Sequence, residues 1–132
     1  MLDQILSLHV EYTNEIMAEG AWCGHAYATE YFADLRNRMI NVAKQLKESR
    51  NRDIVTIAEH ILFILATDYD KLVTKTYENE SFDEWDKRQI AEALSNTFID
   101  RVEEAFKEFS VIYEKLSGKA YEAAIEAAMG ST

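Results

Sequence analysis

The sequence predicts an all-α protein, a single compact domain of five or six helices arranged as a bundle around a central third helix. Three observations carry that expectation. The 132 residues include no proline and only four glycines, so helix breakers are scarce. Apolar side chains recur at three-to-four spacing along the chain, and no stretch sustains the period-two alternation of a half-buried strand. Hydrophobic residues make up 48% of the chain and charged residues 29%, a balance too apolar for a disordered segment and sufficient for one core.

Each helix follows from where its apolar residues fall at about 100° per position. Residues 2–18 gather Leu2, Ile5, Leu6, Tyr12, Ile16 and Met17 on one face. Residues 26–48 gather Tyr27, Tyr31, Leu35, Met39, Val42 and Leu46, and end in basic side chains suited to the negative end of the helix dipole. Between them Gly20, Gly24 and Ala28 recur every four residues, a spacing that serves close helix approach if helical and turns if not.

Residues 48–53 read as a polar turn, with Asp53 as the N-cap of a third helix over residues 54–77. That helix has the widest apolar arc, including Ile54, Ile57, Ile61, Leu62, Leu65, Leu72 and Val73, hence its expected central place.

Ser81 and Glu84 have capping-box spacing and open the next helix. Its apolar face then swings by about 150°, from Phe82, Trp85, Ile90 and Leu94 to Phe98, Val102, Phe106, Phe109, Tyr113 and Leu116. Either the helix breaks or it serves two surfaces. A fresh capping start at Thr97 favours a break near residues 95–97. Gly118 is a natural C-cap, and residues 120–129 form a final helix. One domain over residues 1–129 and a flexible tail over 130–132 follow.

Charge excludes several functions. With 24 acidic and 14 basic side chains the net charge is −10, which disfavours direct nucleic-acid binding and adhesion to anionic membranes. The longest stretch free of charged residues is 20–29, too short to span a bilayer, which needs about 20 apolar residues. One cysteine can form neither an internal disulfide nor a thiolate zinc cage. Asp3 stands where a signal peptide carries basic residues, so a cytoplasmic protein is expected. Residues 36–52 hold six bases and one acid, whereas residues 78–86 hold five acids and no base.

A few residues do not suit a plain helical core. His9, beside Thr13, falls on the apolar face of the first helix, where an imidazole needs a partner. Asp68 falls on the apolar arc of the third, and Lys71 and Lys75 can reach it along the helix. We expect His9 and Asp68 to face one another, and His9, Thr13 and Asp68 to line any ligand site. Cys23 and His25 are too few ligands for zinc, and His60 lies on a polar face. Glu15 with Glu19 and Glu30 with Asp34 have the one-turn spacing of a magnesium site, a spacing also common on solvated faces.

The leading expectation is a non-enzymatic regulatory or adaptor protein, acting as a homodimer on a protein partner with a basic surface, for example as an inhibitor mimicking nucleic-acid charge. Trp22, Trp85 and the acids Glu78, Glu80, Asp83, Glu84 and Asp86 would make the contact, an aromatic anchor beside steering charge. That reading calls for no cofactor, metal or catalytic residue. The alternatives are a sensor binding haem or another apolar ligand through His9, and a carboxylate-metal nucleotide hydrolase.

Overall fold

The computed structural model describes residues 1–18 and 25–130, with side chains described for residues 1–15, 31–69 and 71–130. These residues form six α-helices: α1 (Leu2–Ala18), α2 (His25–Leu46), α3 (Arg52–Ile64), α4 (Tyr69–Glu78), α5 (Glu84–Ser117) and α6 (Tyr121–Gly130). The glycine-containing stretch after α1, with Trp22 and Cys23, lies outside the described residues, as do the side chains of His25 and Glu30 and the tail beyond Gly130.

α1 and α2 match their apolar periodicity. Ile5, Leu8 and Tyr12 are buried from α1, and Phe32, Leu35, Met39, Val42 and Leu46 from α2. One core runs through these residues, Ile54, Ala58 and Ile61 of α3, Tyr69 and Val73 of α4, and Phe98, Val102, Phe106 and Phe109 of α5.

The long third helix expected over residues 54–77 is two helices. Asp68 leaves helical geometry and accepts a hydrogen bond from the Lys71 N–H, capping α4. Across the gap, Arg36 of α2 donates from Nε to the Leu65 carbonyl at 2.8 Å and from Nη2 to the Ala66 carbonyl. Carbonyls orphaned at the end of α3 are thus satisfied by a side chain rather than by continuing the helix. Upstream, the α3 cap is Asn51, whose side chain accepts from the Asp53 N–H, so Asp53 is a first-turn residue rather than the cap.

The capping box also shifts. Asp83, not Ser81, caps α5 by accepting from the Asp86 N–H, while Ser81 bonds Asn79. No break occurs near residues 95–97: α5 runs unbroken for 34 residues, with the Thr97 hydroxyl returned to the Ala93 carbonyl one turn back. Its swinging face reflects two environments. The first half meets α4 at Lys87 and Ser95, whereas the second half meets α3 at Glu108, α1 at Phe106 and α6 at Tyr113. α3 packs on α2 and α5, and α5 is the helix in contact with α1, α3, α4 and α6. Gly118 ends it in the left-handed conformation at φ 71°, its N–H donating to the Glu114 carbonyl.

Cross-helix bonds fix the register. His60 sits by Glu108, Arg101 bonds Thr67, Tyr69 bonds Ser95, and Lys87 donates to the Tyr77 carbonyl. α3 and α4 therefore succeed one another antiparallel to α5. The turn after Gly118 sends α6 back beside α1.

Candidate functional site

Where α1, α5 and α6 meet, they form an open cavity of about 500 Å³ lined by His9, Tyr12 and Thr13 from α1, Glu103, Phe106, Lys107 and Ser110 from α5, and Tyr121, Glu122 and Ile125 from α6. That volume lies within the range of small-molecule sites, roughly 300–1,000 Å³. Its lining combines aromatic rings with a few polar groups, the composition such sites share.

The polar centre is a pair. His9 Nδ1 lies 2.7 Å from the Tyr121 hydroxyl. The imidazole also stacks on Phe106, ring centres 4.4 Å apart and planes 17° from parallel. Tyr121 is held at both ends, its backbone N–H donating to a Glu114 carboxylate oxygen at 2.9 Å while its ring meets Tyr113 edge-on. Burial pushes the His9 pKa below its ordinary value and the Tyr121 pKa well above, so the imidazole is neutral and the phenol protonated at neutral pH. Thr13 returns its hydroxyl to the His9 carbonyl at 2.9 Å, a bond along the helix.

Tyr12 completes the wall. It is 4% exposed, and its buried hydroxyl has no hydrogen-bond partner among the described residues. Leaving such a group unsatisfied costs about 1–3 kcal/mol. Burial raises its pKa most, with further pushes from the charges of Glu103, Tyr31 and Asp100.

Of the predicted ligand residues, the structure brings His9 and Thr13 together and places Asp68 elsewhere. Asp68 caps α4 beside Phe32, Arg36 and Tyr69, its carboxylate 3.9 Å from Lys71 Nζ, while His9 takes Tyr121 as its partner. The expected pairing of His9 with Asp68 is therefore replaced by two separate local arrangements. An aspartate on an apolar arc is also the residue that can stop a helix, and here it does so. Tyr121 and Phe106 were missed because both meet His9 only through long-range folding. A tyrosine just past the Gly118 helix stop was the available signal.

The partner residues lie at the corner between α4 and α5. Trp85 is 68% exposed, and Glu78, Glu80, Asp83 and Glu84 are exposed around it. Trp22 lies outside the described residues. Asp34 is tied to Arg38 at 2.9 Å, and the same guanidinium reaches Glu11 at 2.7 Å. Among the described residues no group of three or more His, Cys, Asp and Glu side chains could hold a metal ion, and no helix is long and apolar enough to cross a membrane. Comparison with known proteins adds no relative: no family model, no curated protein and no solved structure matches the chain.

Proposed function

We propose that the protein binds a small, largely apolar ligand in the cavity between α1, α5 and α6. The observation that carries this reading is the cavity's wall, where the rings of His9, Tyr12, Phe106 and Tyr121 come together around the His9–Tyr121 pair, bordered by polar side chains. An apolar body seated against these rings removes aromatic surface from water, and the polar side chains around them offer partners to a polar group on it.

The neutral fluorophore N-phenyl-1-naphthylamine tests it, because its emission rises when it leaves water. Saturable enhancement by the wild type, lost in Ser110→Trp at unchanged thermal stability, supports the cavity as the site. Equal enhancement by both proteins, or none by either, overturns it. Haem is one member of the ligand class, and titration decides on it directly. A Soret band shifted from free haem and lost in His9→Ala assigns haem, and an unshifted band removes it.

A second reading, contact with a basic protein surface, rests on Trp85, an exposed indole set among carboxylates. Binding through it would weaken steeply with salt. Partners captured from the source cell by the wild type and lost by Trp85→Ala support this reading; identical captures remove it. Sedimentation of the same two proteins shows whether the partner is a second copy of this chain.

A further inference from the structure

The charges at the mouth of the cavity go further than its apolar wall. Four aromatic rings, His9, Tyr12, Phe106 and Tyr121, line one space, with His9 stacked on Phe106 and the Tyr12 and Phe106 ring centres 5.6 Å apart. Two exposed carboxylates, Glu103 and Glu122, flank these rings from opposite helices, against the single base Lys107. None of the three takes part in an ion pair within 4 Å among the described residues, so their charges act on the cavity and the solvent. The whole chain adds a net charge of −10.

We infer that the cavity selects an organic cation, an aromatic or alkyl body carrying a protonated or quaternary amine. This rests on the reading of the cavity as the ligand site and adds the ligand's charge. Aromatic faces attract cations through their quadrupoles, most strongly where water is excluded. Acidic side chains at the mouth raise the local concentration of cations and disfavour anions. A protonated amine is also a hydrogen-bond donor, and the exposed carboxylates of Glu103 and Glu122 are acceptors. The Tyr12 pKa registers the same field, since the charges of Glu103 and Asp100 add to burial in holding its proton.

Three probes of one shape separate charge from apolar fit: 2-naphthylmethylamine, 2-naphthalenemethanol and 2-naphthoate, titrated calorimetrically at pH 7.5 and low salt. The amine should bind about tenfold more tightly than the alcohol, a preference worth about 1.4 kcal/mol, and the naphthoate most weakly. In the double variant Glu103→Gln, Glu122→Gln the gap between amine and alcohol should close. An amine no tighter than the alcohol overturns the cation assignment while leaving the apolar site standing. A preference that survives in the double variant overturns the role of these two carboxylates. If none of the three binds, the site reading falls and the cation inference with it.

Discussion

His9 is stabilised by the Tyr121 hydroxyl and by the rings of Phe106 and Tyr121, and the hydroxyl can be removed without the rings. Tyr121→Phe keeps the aromatic contacts and deletes the bond to Nδ1, so it should cost about 1 kcal/mol in urea unfolding, the usual worth of a part-buried hydrogen bond. Acid should also act through this residue. Burial lowers the folded-state pKa of His9 below its ordinary 6.5. Between the two values the unfolded chain binds the proton and the folded one does not, so stability is complete above pH 6.5 and falls as the pH drops through that value. His9→Gln removes the titration, and the stability gap between wild type and variant should narrow from pH 7.5 to pH 5. A gap that is constant or widens on acidification refutes this account. His9 and Thr13 were legible in the sequence because a polar group on an apolar stripe stands out. Tyr121, 112 residues away, was not, because its bond to His9 exists only once α6 has folded back along α1.

Helix content was easier to read than helix ends. Among the described side chains the expected stripes hold at Ile5 and Tyr12 of α1 and at Tyr31, Leu35, Met39, Val42 and Leu46 of α2, because an apolar stripe is a property of many positions and no single one decides it. Caps are decided by one side chain, and neighbouring Asn, Asp and Ser residues compete for the role. Hence the α3 cap lies at Asn51 rather than Asp53, and the α5 cap at Asp83 rather than Ser81. The competition has a measurable consequence. Asp83→Ala should destabilise by about 1 kcal/mol, as loss of an N-cap does, whereas Ser81→Ala should cost less than about half of that. Equal effects would mean that the Asn79–Ser81 turn, not the Asp83 cap, starts α5. Two further readings missed because they depended on neighbours. At the break between α3 and α4 the freed carbonyls are taken by Arg36 from α2, and the unbroken α5 packs against α1, α3, α4 and α6.

Charge becomes a property of the whole molecule once register is known. The antiparallel run of α3 and α4 along α5 places the α2–α3 turn, with exposed Lys47, Arg50 and Arg52, near the C-terminal end of α5, and the acidic α4–α5 corner at its N-terminal end. Thirty-four residues at about 1.5 Å each separate these ends by about 50 Å, several times the roughly 10 Å screening length at 0.1 M salt. The two patches cannot neutralise one another within one molecule. Arg36 and Arg38, nominally part of the basic run, are already engaged by the carbonyls of Leu65 and Ala66 and by Glu11 and Asp34. What remains is a chain of net charge −10 whose acidic corner, five carboxylates over residues 78–86, is offset only in part by Lys87 and Arg88. Screening should relieve the repulsion among these carboxylates more than it weakens the few half-exposed ion pairs, each worth about 0–1 kcal/mol. Sodium chloride raised from 10 to 300 mM should therefore increase the unfolding free energy by about 1 kcal/mol, and Glu80→Gln should shrink the gain. Chloride is the salt to use, because sulfate strengthens apolar burial in its own right. A stability that falls with salt would show that the Arg38 network outweighs the repulsion of the acidic corner.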